Sequence, residues 1–579
     1  MRSLMVGLFL LLPFAGNASA AEIALDMPGY RGPEDLLLSE DQSRLYTANR
    51  QSGSISVVDL ARKLTVQEFA VGGEPVQLAW LSNDRMLVVD QTGHRLVLLA
   101  ARGNSLEVLD ACQVAPYPIR VEVSADGTVA YVSSIWSKAI TRISLDADKL
   151  ENPKIQYLTF SPRETLLLAE DAKLLVSDNF SGRVGVVDTA TLKLEHAREF
   201  PAHNIRAMRL SHDGEKVIFA HQMLNSLAVT NHNDIHWGLL MSNDLRWLKA
   251  DNLLDATADF YRESFMQPIG QPNEGGGDPT DVALIPDGQV IVTLGGASEV
   301  GIGKEGSYGL HRTEVSGRPM AVKVPSAGNI AYVACATQDA IAVIDLKNVR
   351  EIERIPLGPM RPLTQVEEGE KLFFDSRLSM ESWMSCHSCH TDGHSSGMAN
   401  DNLSDGSFGT PKKILSLLGK HRTAPFGWSG SSPTMAAQVR ASIDKTMRGD
   451  PLEEPQVAAL VAYLETLQAP PSIDKLQGTH DQASVERGRL VFLQNNCVAC
   501  HAPPTYTTPK NYDVGIHDQD GVREFNPPTL RGVGHRQRFF HDAEVDQLEK
   551  VFTEEHHQLA EELSDGQRSD LVNFLRSLE

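Results

Sequence analysis

The chain has 579 residues and a formal charge of -22, which leaves room for three or four domains. So acidic a surface excludes nucleic-acid binding, which needs a basic face, and suits a neutral or basic protein partner. Its 41% apolar and 22% charged residues are those of globular protein with sizeable cores.

Residues 1–20 read as a secretory signal. Arg2 supplies the positive start, Leu4 to Phe14 an apolar core too short to span a membrane, and Ala18-Ser19-Ala20 the small-residue cleavage site. No later run is long and apolar enough for a membrane helix. The mature chain is therefore expected in the periplasm, with no membrane span.

Residues 21–358 carry short apolar runs separated by polar turns. Asp41, Asp84, Asp126, Asp171, Asp213, Asp287 and Ala327 mark a turn that recurs at spacings of 43, 42, 45, 42, 74 and 40. That is the period of a four-stranded propeller blade, and seven markers predict seven blades. The long interval puts an insertion at about 231–277 in the fifth blade, with Asn252 to Phe265 read as a short helix. The stretch Glu22 to Met27 is expected to pair into the last blade and close the ring. Cys112 and Cys335 fall in strand-like segments and read as free, buried thiols. By period and pattern the blades resemble the YVTN-type repeat propellers, which implies binding or scaffolding before catalysis.

After the joint Pro356 to Pro362 the pattern becomes helical. Two pentads stand out: Cys386-His387-Ser388-Cys389-His390 and Cys497-Val498-Ala499-Cys500-His501. Cys-x-x-Cys-His is the attachment sequence of a c-type haem. Its thiols add across the vinyl groups, and its histidine becomes an iron ligand. Each pentad follows a helical stretch (Gln365 to Phe374; Val485 to Gln494). Each is followed by a loop and a second helix (Val457 to Leu467; Arg568 to Leu578). The predicted fold is multidomain: an all-β seven-bladed propeller followed by two tandem α-helical cytochrome c domains, 363–469 and 484–579. Two covalently bound haem c groups are expected.

Further stretches fit a known pattern: Gly369 to Ser379 before the first pentad, Trp428 with Gly430, Gln438 ten residues on, Pro528 to Arg531, Phe540-His541-Asp542, and Leu548 to Val551. In these, residues 362–579 resemble the bacterial di-haem cytochrome c peroxidase family, including its MauG-like members. The resemblance implies an oxidoreductase that uses peroxide or oxygen at the first haem. The second haem would relay electrons through Trp428, and Gln438 would hydrogen-bond the oxidant. It further implies a calcium ion between the haem domains, near Asn526 and Pro528. The partner would be a periplasmic electron-transfer protein or a protein substrate, with the propeller docking it or shielding the haem.

The departures carry their own expectations. Where the family has a glutamate that moves the peroxide proton, this chain has Arg448. An arginine stabilises negative oxygen but stays protonated and is a poor base. No methionine follows Met447, so the second iron cannot take the family's methionine; His556 or His557 is the leading candidate for its sixth ligand, with Tyr506, Tyr512, His517, His535 and His541 behind them. On the far side of the first iron the candidates are His394, Met398 and His421, with an open iron favoured. The alternative function is a non-enzymatic electron-transfer cytochrome with a protein-binding propeller.

Overall fold

The aspartate that marks each repeat makes a turn. Asp41 accepts from the hydroxyls of Ser39 at 2.6 Å and Ser43 at 2.8 Å and from the Ser43 N–H at 3.0 Å. The same set recurs at Asp126, with Ser124 and Thr128, and at Asp213 with the Ser211 hydroxyl and the Glu215 N–H. These hydrogen bonds, led by that from Ser39, hold the Asp41 carboxyl down to about 2. The next residue takes a positive φ, 56° at Gln42 and 71° at Gly127. That reverses the chain into the following strand.

The computed structural model describes residues 22, 23, 25, 28–82, 84–403 and 406–579. The secretory signal read at 1–20 lies outside the described residues. Seven antiparallel meanders follow one another at 33–70, 75–113, 118–157, 162–199, 203–268, 279–314 and 319–356. Inner strands are buried on both faces, as at Arg85–Asp90, while outer strands alternate, as at Leu194–Glu199. That is the period-two pattern of a sheet with one side wet. Apolar side chains from adjacent blades interleave into the core clusters of the ring.

Ring closure differs from the expectation. Glu22–Ile23 pairs with Leu64–Ala70, the outer strand of the first blade, and not with the last blade. The seventh blade already has four consecutive strands of its own. The ring is closed instead by side chains and by the linker. Asp339 of blade seven accepts from the Arg31 and Gly32 N–H groups at 2.7 and 2.9 Å. Gly29 forms a parallel bridge with Met360, through Gly29 N–H to Pro359 O at 3.0 Å and Arg361 N–H to Gly29 O at 2.9 Å.

The extra length of blade five is split into pieces. One short helix, His232–His236, precedes the strand Met241–Lys249, and another, Ala250–Leu254, follows it. The expected helix from Asn252 to Phe265 is thus mostly a loop. Asp255 ends the turn by accepting from Thr257, and Trp247 sits within a strand in register with Ile218. Cys112 is half-buried and Cys335 buried, and both are free.

The helical half is built twice on one plan. Gln365–Phe373 crosses Glu454–Thr466, and Gln482–Gln494 crosses Asp565–Arg576. A glycine stands at each crossing: a Cβ on Gly369 would lie 2.0 Å from Ala459 O, and one on Gly488 1.9 Å from Asp570 O. Only glycine permits that approach. Both copies rest on one end of the propeller. Ser376 N–H donates to Gly296 O, Gln477 to Ser137 O, and Gln537 to Asp178. Among the described residues no helix is long and apolar enough to cross a membrane.

Candidate haem centres

Cys386–Cys389 forms a single helical turn whose cap is reciprocal between Ser385 and Ser388. The turn turns both thiols and His390 towards a cavity of about 1740 Å³, open mouth included. Trp428 and Gln438 line the same cavity. Residues that the sequence spreads over more than fifty positions thus meet around one space.

Trp428 is fixed at both ends. Its indole N–H donates to Lys413 O at 2.8 Å, and its carbonyl accepts from the Asn526 N–H at 2.7 Å. Its ring meets Phe525 and His541 edge-on, each with centroids 6.4 Å away. Phe525 and His541 belong to the second helical copy, so the tryptophan bridges the two. Gln438 Nε2 donates to the Ser442 hydroxyl at 3.3 Å, and both side chains face the cavity.

These residues fit a haem. Burial pushes the Cys386 and Cys389 thiols up to about 12, which suits neutral, thioether-bound sulfur. Burial also brings His390 down to about 4, leaving a neutral imidazole, and its buried Nδ1 has no hydrogen-bond partner. Among the described residues the cavity walls carry Lys412, Lys413 and Lys420 but no carboxylate. Burial first, then the Arg536 guanidinium, pushes Lys413 and Lys420 down to about 7. No carboxylate pairs with Lys413 or Lys420 among the described residues. Buried cations without counter-charges are costly, and a haem brings two carboxylates of its own.

At the second pentad, His501 Nδ1 donates to Tyr506 O at 3.2 Å, which leaves Nε2 for iron. Tyr512 braces the loop through its hydroxyl to Ala499 O at 3.0 Å. The two candidate sixth ligands part company. His556 is exposed with φ 46°. His557 is half-buried, packs against Phe540 at 5.3 Å and lies within electrostatic reach of His501.

Arg448 does not line the cavity: its Nε donates to Thr230 O at 2.7 Å, so it faces the blade-five insertion. A φ of 53° at Arg448 and the helix break before Gly449 aim it there. His394 is likewise outside the cavity lining. It bonds Ser416 at 2.9 Å and packs against Trp136 and Phe180 of the propeller. Met398 and His421 are also absent from the lining. Asn526 donates its Nδ2 to the carbonyls of Thr508 and Lys510.

The model of the family "Di-haem cytochrome c peroxidase" matches residues 364–476, and that of "Cytochrome c" matches residues 485–579. The "Methylamine utilization protein MauG" of Methylorubrum extorquens is 26% identical, over 44% of this chain and 89% of its own. The "Cytochrome c551 peroxidase" of Nitrosomonas europaea is 27% identical, over 38% of this chain and 84% of its own. The helical half belongs to the di-haem cytochrome c peroxidase and MauG family. The family implies haem c, and two pentads fit two haems. The chain is thus a peroxidase-like oxidoreductase joined to a seven-bladed propeller.

Within this di-haem unit the position of Arg448 yields a direct expectation. Arg448→Ala loosens the seam with blade five but changes the rate of the peroxide response by less than about threefold, since it touches no reacting group. Stopped-flow absorbance of the holoprotein checks it. A loss of 100-fold or more would put the arginine back in the site.

Proposed function

We propose that this chain is an exported, periplasmic di-haem oxidoreductase that uses peroxide or oxygen at the haem held by Cys386, Cys389 and His390. Electrons would reach it from the haem held by Cys497, Cys500 and His501, with His557 as the second iron's other ligand. When bound, the haems supply the redox chemistry. The chain supplies position and polarity. Lys413 and Lys420 would hold the carboxylates of the first haem. Trp428 stands between the copies, clamped by Lys413 and Asn526. Gln438 and Ser442 offer hydrogen bonds inside the cavity but neither can take a proton at neutral pH, and Arg448 lies elsewhere. Of the cavity's side chains, Lys413 and Lys420, brought down to about 7 by burial, are the ones that can exchange a proton near neutral pH. The propeller end that carries the helical half acts as a shield, and an electron-transfer protein or protein substrate docks elsewhere.

The observation that carries this reading is the single cavity shared by the first pentad, Trp428 and Gln438. The resting absorption and EPR spectra of the holoprotein test it. A high-spin ferric component that responds to peroxide is expected. Two low-spin haems indifferent to peroxide would favour the electron carrier.

A further inference from the structure

The first pentad is closed off from solvent on the side away from the cavity. His387 and Ser388 are 3% and 0% exposed, and the propeller covers them. The Asp278 carboxylate, leading into blade six, accepts from the hydroxyls of Ser385 and Ser388, the latter at 2.9 Å, and faces His387 Nδ1 at 3.4 Å. Arg206 of blade five meets His387 Nε2 at 2.6 Å. His387 Nε2 also lies 3.4 Å from Asp392, so the imidazole sits between two carboxylates and the Arg206 guanidinium.

Blade five adds His203 Nε2 to Ser388 O at 2.8 Å and Gln222 to the Ser388 hydroxyl at 3.1 Å. Just past the pentad, Asp392 pairs with Arg206 at 3.0 Å and Arg163 at 3.3 Å. Asp278 and Asp392 are balanced by Arg206 and Arg163. Burial alone would raise Asp278, but the His387, Ser385 and Ser388 hydrogen bonds bring it below the usual carboxylate range. The charge is therefore present, in a medium that screens it poorly.

We propose that Asp278 is a positioning residue for the first haem: with Arg206 it holds the attachment loop, and its buried charge sets the reduction potential of the iron bound by His390. This rests on the reading of Cys386 to His390 as a haem site. Reduction adds one electron to that iron, so a nearby anion favours the ferric form and a nearby cation the ferrous form. The propeller then tunes the centre that it covers.

The test is a redox titration of the full holoprotein, with each haem followed by its own spectrum. Asp278→Asn keeps the shape and removes the charge. It raises the ferrous-to-ferric ratio of the first haem on the order of tenfold at a fixed potential, leaves the second haem alone, and is reversed by Asp278→Glu. Arg206→Gln moves the first haem the opposite way and serves where the Asp278 variant does not accumulate. Either variant with both haems attached and both midpoints unmoved overturns the proposal. A wild-type peptide spanning 386–390 that carries no haem mass would instead overturn the underlying assignment.

Discussion

A protein with both Cys386 and Cys389 changed to alanine retains one covalent haem in place of two and shows no spectral response to peroxide. The seam with the propeller survives this change, because Ser385, His387, Ser388 and Asp392 make its contacts and the two cysteines do not. The loss is therefore chemical, not a failure to fold. Peroxide-dependent turnover falls by at least ~10³-fold, because the difficult electron chemistry resides in the cofactor. Changing Cys497 and Cys500 instead leaves the peroxide response and removes the relay, so sustained turnover stops after the first event. Haem stain on a denaturing gel and pyridine haemochrome counting check both. Two haems remaining in either double variant would refute the assignment of that pentad.

His557→Met gives the second largest effect. Imidazole on both faces holds an iron at low potential, and a thioether raises it. The second haem's midpoint climbs on the order of 100 mV, within the range that axial ligands command. His557→Ala opens the iron and adds a high-spin signal. His556→Ala, at an exposed position, changes neither. Redox titration with EPR checks all three, and a second haem that stays low-spin in His557→Ala would remove His557 from the ligand set.

Much of this molecule could be read before any fold was in hand, for a physical reason. The aspartate turns are local: each carboxylate satisfies groups two residues away, so the signal recurs with the blade. The pentads are local too. The seam was not legible, because Asp278 reaches Ser388 across 110 positions. No composition or period encodes that pairing. The glycines of the blade-five region show the same limit. A Cβ on Gly238, Gly270 or Gly275 would come within 2.4 Å of Trp383, so they form a cradle for a residue more than a hundred positions away. Arg448 failed for a related cause. Its offset from Trp428 is right, but the chain takes a left-handed conformation at that residue and carries the side chain out of the cavity. The two-residue strand at Glu22 found its partner on the near edge of blade one, since blade seven was complete without it.

The bridge between Gly29 and Met360 also bears on how the molecule comes apart. The backbone that leads out of the last blade is the same backbone that pins the first one. Pulling on the cytochrome end loads the latch of the toroid directly. Heat that frees the connecting segment also unfastens the blades beside it, so the two halves share one cooperative transition and a calorimeter records a single endotherm.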